Sequence, residues 1–387
     1  MCGEFSAEVL VMRSALRLLF LVLLTTSVPF LRAQTASVGT PIRVAIVGLV
    51  HGHVGGTLSN LARHANPNVQ LVAIEEPNTA LTKKYVDSLH LESIPTYTDL
   101  ETMLNKEKLD AVMIYTPNKD HPRVAIAAAK HHVSSIMEKP MAISVPEALA
   151  MRKAAQQYNV HILTNYDTSY FPSNNAAIAL AQEGKLGTLH KMVFYAGHAG
   201  PVALHTGPEF VAWLTDPEQN GAGALYDFGC YGADLVTFLL KGKLPISVTA
   251  VAQTDDSKDY PKTDDDATII IRYPTFQAVL LPSWQWPFNS TRKDLELFGE
   301  EGQAKTVGTK DLSVQLKGEK TATQSPAPAV DAKRDNEWDY LVAVLRNQVD
   351  DHWLPGSLDT NMVAVQIMDA ARESVKSGKT VTLKPLP

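Results

Sequence analysis

The sequence predicts an α/β protein of two domains: a doubly wound parallel sheet followed by an α+β domain with a large, mostly antiparallel sheet. Between residues 41 and 165, short β-branched runs alternate with helical segments, which is typical of parallel strands joined by right-handed crossovers. Between residues 189 and 298, strand-like runs are linked largely by turns, which is typical of an antiparallel sheet. The length of 387 residues also favours two domains, because a single hydrophobic core stops growing at about 250–300 residues.

The first domain is predicted to span residues 41–165. Its first strand, residues 43–48, is rich in β-branched side chains and ends in glycine. The other predicted strands are 69–74, 111–115, 134–137 and 161–164. The predicted helices between them are 57–65, 79–89, 121–131 and 145–158.

The second domain is predicted to span residues 166–387, and its C-terminal segment is expected to pack back on the first domain. The predicted helices are 174–183, 336–346 and 359–376. The predicted strands are 189–196, 246–253, 267–273, 276–283, 294–298 and 380–384. Residues 320–335 are rich in Ala, Pro, Thr and Ser, a composition that predicts a surface loop.

The composition excludes several functional classes. The chain carries 35 Lys+Arg against 41 Asp+Glu, a formal net charge of −6. It has no basic block, and nucleic-acid binding requires a cationic surface, so we expect no nucleic-acid partner. Cys2 precedes the apolar start of the chain and Cys230 is the only other cysteine, which excludes a disulfide framework and a cysteine-rich zinc site.

The N-terminus has the pattern of a signal peptide. A basic start at Arg13 and Arg17 is followed by an apolar run over residues 18–24 and by a small residue, Ala33, at a plausible cleavage site. The run is shorter than the ~20 apolar residues that span a bilayer. We therefore expect residues 1–33 to be removed and the mature protein to be exported, periplasmic or secreted, without a stable membrane span.

The turn after the first strand is a candidate phosphate site. A strand that ends in Gly48 and runs through Gly52 into a helix offers free N–H groups and a positive helix end to a pyrophosphate. The turn departs from the GxGxxG pattern, because Val50 and His53 occupy the places of the second and third glycines. His51 and His53 also suggest a metal site, but no carboxylate or third histidine accompanies them at ligand spacing, so we predict no metal.

The end of the second strand indicates which dinucleotide would bind. Glu76 follows that strand, where a carboxylate can accept both hydroxyls of an adenosine ribose and repels a 2′-phosphate. This feature favours NAD over NADP.

Two later strand ends carry polar motifs. Thr116, Pro117, Asn118 and His121 follow the strand at 111–115, and Glu138-Lys139-Pro140 follows the strand at 134–137. Ligands of parallel sheets bind beyond these carboxyl ends. Lys139 is therefore expected to face the cofactor cleft.

A third motif lies in the second domain. If residues after Gly221 open a helix, Asp227 and Tyr231 lie four residues apart on one face. A carboxylate and a phenol in this position suit proton transfer with a substrate hydroxyl, although a helix cap and a packed aromatic residue are the structural alternative. Trp284 and Trp286 are interpreted as sheet packing, with stacking on a sugar ring as the alternative.

Taken in order, these motifs resemble the Gfo/Idh/MocA oxidoreductase family over residues 41–386. The matching residues are Gly48, Thr116-Pro117-Asn118, His121, Glu138-Lys139-Pro140, Asn165, 184–187, Trp213, Asp216-Pro217, Asp227 with the residue four later, and 374–381. The resemblance implies a Rossmann domain, a C-terminal open-sheet domain and reversible hydride transfer between a nicotinamide and a sugar or polyol.

The resemblance also implies roles for individual residues. Lys139 would hydrogen-bond the reacting hydroxyl, Asp227 would orient the substrate, and the residue at 231 would be the acid–base group. The family usually has histidine there, whereas Tyr231 is similar to the tyrosine of glucose–fructose oxidoreductases. A phenol, whose free pKa is ~10, becomes a useful base only if nearby cations stabilise the phenolate. The implied cofactor-binding set is Gly48, Val50, His51, Gly52, His53, Glu76, Thr116, Pro117, Asn118, His121, Glu138, Lys139 and Asn165.

Export limits the chemistry, because the cell exterior has no soluble nicotinamide pool. The cofactor would be held through two half-reactions, or the net reaction would be redox-neutral, as in the glycosidases related to this family. A secreted carbohydrate-binding protein that lost catalysis is a further alternative. An open sheet with one uncovered face also predicts a homo-oligomer.

Overall fold

The structure is a computed structural model that describes residues 39–63, 66–287 and 291–387. The predicted signal peptide, residues 1–33, lies outside the described residues.

Six parallel strands form the first sheet, and five of them were predicted. They are β1 (Ile42–Val47), β2 (Val69–Glu75), β3 (Thr96–Tyr97), β4 (Ala111–Ile114), β5 (Ser134–Glu138) and β6 (Ile162–Asn165). Their order in the sheet is β3-β2-β1-β4-β5-β6. The winding reverses between β1 and β4, and ligands of doubly wound sheets bind at this reversal.

Five helices accompany this sheet. They are α1 (Val54–Ala62), α2 (Thr79–Leu89), α3 (Leu100–Lys106), α4 (His121–Lys130) and α5 (Val145–Tyr158). The two-residue strand β3 and the seven-residue helix α3 were not predicted, because neither is long enough to show a clear hydrophobic period.

The second sheet has nine strands. They are β7 (Leu189–Gly197), β8 (Ser247–Gln253), β9 (Asp266–Arg272), β10 (Gln277–Ser283), β11 (Arg292–Gly299), β12 (Gly302–Val307), β13 (Asp311–Leu316), β14 (Thr323–Pro326) and β15 (Val381–Thr382). Their order is β14-β13-β12-β11-β7-β10-β9-β8-β15, and the β7–β10 pair is parallel whereas the other pairs are antiparallel. The prediction of a large, mostly antiparallel sheet is therefore confirmed.

The predicted surface loop at 320–335 is wrong in part. Thr323–Pro326 forms β14, which pairs with β13 at the edge of the sheet. All four residues of β14 are exposed and polar or proline, so the strand lacks the apolar alternation that predicts a strand from sequence. β12 and β13 also went unpredicted.

Six further helices complete the described chain. They are α6 (Pro172–Gln182), α7 (Pro208–Leu214), α8 (Pro217–Asn220), α9 (Ala224–Leu239), α10 (Glu337–Leu345) and α11 (Leu358–Ser377). α9 is buried along almost its whole length. A Cβ at Gly232 would lie 2.5 Å from Leu280 Cδ2 of β10. A larger residue at 232 would have to displace the buried Leu280 side chain, so glycine favours the close approach of α9 to the sheet, which holds the residues of its first turns in place.

The C-terminal helices pack against the first sheet. Trp338 and Leu341 of α10 share a core cluster with Val44 and Ile46 of β1. Met362 of α11 belongs to the cluster on the other side of that sheet. Within the described residues, no helix combines the length and the apolar character needed to cross a membrane.

Candidate functional site

The carboxyl ends of four parallel strands bring the predicted motifs to one edge of the first sheet. Gly48 follows β1, Thr116 follows β4, Lys139 follows β5, and Asn165 ends β6. Asp227 lies in the first turn of α9, where Lys139 reaches it across 88 positions of sequence. Parallel strands place all their carboxyl ends at the same edge, which explains how these distant motifs meet.

Lys139 and Asp227 form a buried, hydrogen-bonded ion pair. The ammonium donates to the backbone carbonyl of Asp227 at 2.9 Å and pairs with carboxylate oxygen Oδ1. The other oxygen, Oδ2, accepts a hydrogen bond from Trp284 Nε1 at 2.8 Å. The whole residues are 6% and 5% exposed, so each charge depends on the other for compensation.

The pair keeps both groups charged despite burial. Burial alone would raise the pKa of Asp227, but Lys139 and the hydrogen-bond donors outweigh it and hold that pKa below its ordinary value. Burial alone would lower the pKa of Lys139, but the carboxylate of Asp227 outweighs it and raises that pKa. A cationic ammonium thus stands at the end of β5.

Tyr231 lies one helical turn after Asp227 and is 2% exposed. Its ring centroid is 5.0 Å from the Lys139 ammonium, and the ring packs edge-on against Tyr166 at 5.5 Å. Burial raises the pKa of Tyr231 well above 10. The phenol is therefore neutral in the protein alone, and it can lose its proton only when positive charge nearby offsets burial.

A second ammonium, which the sequence analysis missed, also faces this ring. Lys293 Nζ of β11 lies 4.0 Å from the centroid of the Tyr231 ring. It donates to both carboxylate oxygens of Asp167, at 2.7 and 2.6 Å. One signal in the sequence could have found it: Lys293 has the same strand parity as the buried Leu295 and Leu297, so it occupies a core-facing position.

Glu138 gathers polar groups from three segments of chain. Its Oε1 lies 3.1 Å from His53 Nδ1 and accepts a hydrogen bond from Asn165 Nδ2 at 3.1 Å. His51 Nε2 lies 3.9 Å from its Oε2. Burial alone would raise the pKa of Glu138, but the two histidines hold it far below its ordinary value. The carboxylate in turn raises the pKa of His53, whereas burial lowers the pKa of His51 to about 3.

Glu138 is a carboxylate close to the two histidines, which the spacing of residues in the sequence did not reveal. His51, His53 and Glu138 each offer one ligand atom, and these atoms lie within 4.8 Å of one another. However, His51 Nδ1 accepts a hydrogen bond from the backbone N–H of His53 at 3.2 Å. The neutral ring then carries its proton on Nε2, the nitrogen nearest Glu138, and a protonated nitrogen cannot ligate a metal. The absence of a metal stays a prediction.

The turn after β1 has the backbone that its glycine requires. Gly48 has φ +82°, and a Cβ there would lie 2.7 Å from Thr116 Cγ2. Glu76 braces this turn, because its two carboxylate oxygens accept from the backbone N–H of Leu49 at 2.7 Å and of Asn78 at 2.8 Å. Glu76 therefore stands beside the glycine turn rather than beside the Lys139–Asp227 pair.

Helix α7 borders the same turn, which the sequence analysis did not predict. Phe210 and Trp213 pack on the His51 ring, with centroids 5.0 and 5.7 Å away. Trp213 Nε1 donates to the backbone carbonyl of Val50 at 3.3 Å, and a Cβ at Gly52 would lie 3.4 Å from Phe210. Helix α7 of the second predicted domain thus contacts the turn residues Val50, His51 and Gly52, which belong to the first.

Several features at this edge fit a dinucleotide. No side chain caps the N-terminus of α1, and the N–H groups of Val54, Gly56 and Thr57 donate to backbone carbonyls of His51 and His53. The N–H of Gly55 is left for an anion. Asn118 Oδ1, His121 Nε2 and Asn165 Oδ1 are buried and lack hydrogen-bond partners among the described residues. Such atoms normally find a partner, and a bound ligand at the strand ends would supply one. Pro117 lies between Thr116 and Asn118 in the chain, next to these atoms.

His198 is a further residue near the ion pair. Its ring packs edge-on against Phe228 at 4.8 Å, and its Nδ1 accepts a hydrogen bond from the backbone N–H of Gly200 at 2.9 Å. Trp284 is buried in the core, in agreement with its interpretation as sheet packing, and its Nε1 also donates to Asp227. Trp286 packs near Arg292.

Two family models match the chain. Residues 42–166 match one described as an oxidoreductase family with an NAD-binding Rossmann fold, and residues 175–305 match the GFO/IDH/MocA C-terminal domain. The chain belongs to the Gfo/Idh/MocA oxidoreductase family. This match confirms the resemblance on which the sequence analysis relied. It also confirms two predictions for this Gfo/Idh/MocA oxidoreductase, namely the Rossmann domain and NAD as the cofactor.

Individual relatives are distant. The 2,7-anhydro-N-acetylneuraminate hydratase of Mediterraneibacter gnavus is 28% identical over 205 residues, 53% of this chain, and the chain spans half the length of that relative. The D-xylose 1-dehydrogenase (NADP(+)) of Haloarcula marismortui is 23% identical over 90% of this chain and 95% of its own. The aldose-aldose oxidoreductase from Caulobacter crescentus, solved with glycerol, shares the fold with a TM-score of 0.72, 21% identity, and coverage of 89% of this chain and 100% of that chain.

Proposed function

We propose that this Gfo/Idh/MocA oxidoreductase transfers hydride between a tightly held NAD and a hydroxyl-bearing carbon of a sugar or polyol. The buried Lys139 ammonium, tied to Asp227 one turn before Tyr231, carries the proposal. An ammonium and a phenol side by side suit removal of a hydroxyl proton from a substrate. Relatives named as dehydrogenases of D-xylose and D-apiose support a sugar as the substrate class.

Each residue has a separate part in this reaction. Lys139 donates a hydrogen bond to the reacting hydroxyl oxygen and favours its negative charge as the proton leaves. Tyr231 takes that proton as its phenolate, the form that nearby positive charge stabilises, and Asp227 holds Lys139 and orients the substrate. NAD, when bound, would supply the acceptor for the hydride that leaves the same carbon, so that the alcohol becomes a carbonyl. Burial of all three residues excludes water and strengthens these interactions.

The coenzyme would be held by the glycine turn and the strand ends. The turn residues Gly48 to His53 and the N-terminus of α1 would hold the pyrophosphate, and Glu76, which also braces this turn, would bind the adenosine ribose. Asn118, His121 and Asn165, with their unpartnered atoms, line the nicotinamide end. The carboxylate of Glu76 favours NAD over NADP.

We further propose that the protein is exported and keeps its cofactor through successive turnovers. The basic start, apolar run and small residue within residues 13–33 support export. A secreted enzyme without a cofactor pool would need a second substrate to reoxidise the bound nicotinamide. The open sheet supports a homo-oligomer, because Val251 and Ile270 of β8 and β9 are 65% and 41% exposed on it.

A redox-neutral reaction is the second candidate. A hydratase of an anhydro sugar acid is among the relatives, and hydration changes no net oxidation state. In that case oxidation of the sugar would be transient and the cofactor would end each turnover unchanged. A sugar product without lasting change at the reduced-nicotinamide band would favour this candidate over net oxidation.

The test begins with the protein as purified. Denaturation followed by mass and absorbance analysis should release NAD, and a panel of sugars should then change the reduced-nicotinamide band. Lys139→Ala should keep the nucleotide and lose turnover, because Lys139 acts on the substrate hydroxyl. A protein that neither carries nor binds NAD, or an active Lys139→Ala variant, would contradict the proposal.

A further inference from the structure

Two ammonium groups from different parts of the fold lie close to the Tyr231 ring. Lys139 Nζ, after β5, is 5.0 Å from the ring centroid, and Lys293 Nζ, on β11, is 4.0 Å from it. The Lys139 charge is compensated by Asp227. The Lys293 charge is compensated by Asp167, which follows β6.

Lys293 stands in an unusual place for a lysine. Its side chain is 8% exposed, and it occupies the core-facing parity of an inner strand of the second sheet. Lysine is rarely buried unless it is paired, and its ammonium is costly to remove from water. The double hydrogen bond to Asp167 satisfies the ammonium and holds it against the aromatic face.

We propose that Lys293 and Asp167 together set the proton affinity of Tyr231, with the ammonium favouring loss of the phenolic proton and the carboxylate opposing it. Lys293 is a positioning residue in this proposal, because it acts through Tyr231. The proposal extends the proton-acceptor role proposed for Tyr231, but its test does not depend on turnover.

The physical basis is the opposite sign of the two charges. A cation beside the ring stabilises the phenolate through its charge and the neutral phenol only through the weaker ring quadrupole. Burial raises the pKa of Tyr231, and the carboxylate of Asp167 is a further cause in the same direction. Lys293 and Lys139 oppose both effects. The pair thus provides one charge of each sign next to the group that must gain and lose a proton.

Other charged or titratable groups also surround Tyr231. From α9 they are Asp227 and Cys230, from β5 and its following turn Glu138 and Lys139, and from the segment after β6 Tyr166 and Asp167. Asp227 and Glu138 are engaged with Lys139, His53 and Asn165. The Lys293–Asp167 pair can therefore be altered without removing a member of those clusters.

The experiment places a fluorinated tyrosine at position 231 and follows its titration by fluorine NMR in the full-length protein, with and without added NAD⁺. Fluorine makes the phenol more acidic, which brings its titration into the range where proteins stay folded. Lys293→Met should raise the midpoint by about one pH unit or more, and Asp167→Asn should lower it by a comparable amount. Lys293→Arg keeps the charge and should stay close to the unaltered protein.

Opposite shifts distinguish this role from a purely structural one, because damage to the fold would disturb the phenol without reversing sign. The double variant Lys293→Met/Asp167→Asn should fall between the two single variants. Midpoints that move in the same direction, or that do not move, would overturn the proposal. Asp167 is half-exposed, so Asp167→Asn carries the sign test even if Lys293→Met fails to fold.

Discussion

The ammonium of Lys139 binds Asp227 twice, through the backbone carbonyl at 2.9 Å and through the carboxylate. This contact joins the carboxyl end of β5 to the first turn of α9, and so connects the coenzyme-binding sheet to the helix that bears Tyr231. Both groups are buried and each compensates the other. Loss of this contact should therefore affect both stability and catalysis, and the two effects can be measured separately.

Lys139→Met should cost both stability and activity. The substitution leaves the Asp227 carboxylate buried without its cation, which should lower the free energy of unfolding by about 3–5 kcal/mol. Turnover should be lost because no ammonium faces the substrate hydroxyl. Urea unfolding and the reduced-nicotinamide absorbance measure the two effects.

The double variant Lys139→Met/Asp227→Asn is the control. It removes both charges, so it should recover much of the lost stability while remaining inactive. A double variant as unstable as Lys139→Met would mean that packing, rather than charge, explains the loss.

Trp284→Phe should lower both stability and activity without removing a charge. The change deletes the N–H that donates to Asp227 Oδ2 at 2.8 Å and leaves that buried oxygen without its donor. We expect a loss of about 1–3 kcal/mol in unfolding free energy and a decrease of about tenfold in kcat/KM. Trp286→Phe is the matched control and should stay close to the unaltered protein. Equal effects of the two substitutions would contradict a special role for Trp284.

The sequence predicted the parts of the site that depend on parallel strands. The short runs of β1, β4, β5 and β6 are largely buried and alternate with helices, and their carboxyl ends must share an edge. That rule alone places Lys139 near Thr116 and Gly48. The spacing of four between Asp227 and Tyr231 likewise follows from helix geometry.

The sequence did not predict contacts that depend on how distant elements pack. Lys293 and Asp167 are 126 residues apart, and strand parity indicates that Lys293 faces inward but not which residue it meets. The packing of Phe210 and Trp213 on His51 depends on where α7 comes to lie. Glu138 joins His53 for the same reason, across 85 positions. The hydrophobic period of a segment predicts which face of a helix or strand is buried. It does not predict which residues of another element that face contacts, because those contacts are a property of the folded chain.

Gly48→Ala should destabilise the protein and weaken NAD binding. Gly48 has φ +82°, and a Cβ would lie 2.7 Å from the Thr116 side chain and 2.8 Å from its backbone nitrogen. We expect a loss of about 1–3 kcal/mol in unfolding free energy. Gly56→Ala in α1 is the control, since a Cβ there meets nothing within 4 Å and alanine should stabilise the helix by about 0.5–1 kcal/mol. Calorimetric titration with NAD and urea unfolding measure both effects, and equal stability of the two variants would contradict the strained turn.

Asp234→Asn should change how stability depends on pH. Asp234 of α9 is fully buried, its Oδ1 accepts from the backbone N–H of Gly356 at 2.9 Å, and its Oδ2 has no partner among the described residues. Burial raises the pKa of this carboxyl to about 7, whereas an unfolded aspartate has a pKa of about 3.9. Between these values the folded state binds the extra proton, so the stability that Asp234 contributes is present at low pH and declines as the pH rises toward 7.

The asparagine at position 234 cannot ionise, so the variant does not show this decline. The unfolding free energy of Asp234→Asn relative to the unaltered protein should therefore increase by about 1.4 kcal/mol per pH unit across this window. Urea unfolding at several pH values measures the difference. A constant difference between the two proteins across the window would show that Asp234 is ionised throughout.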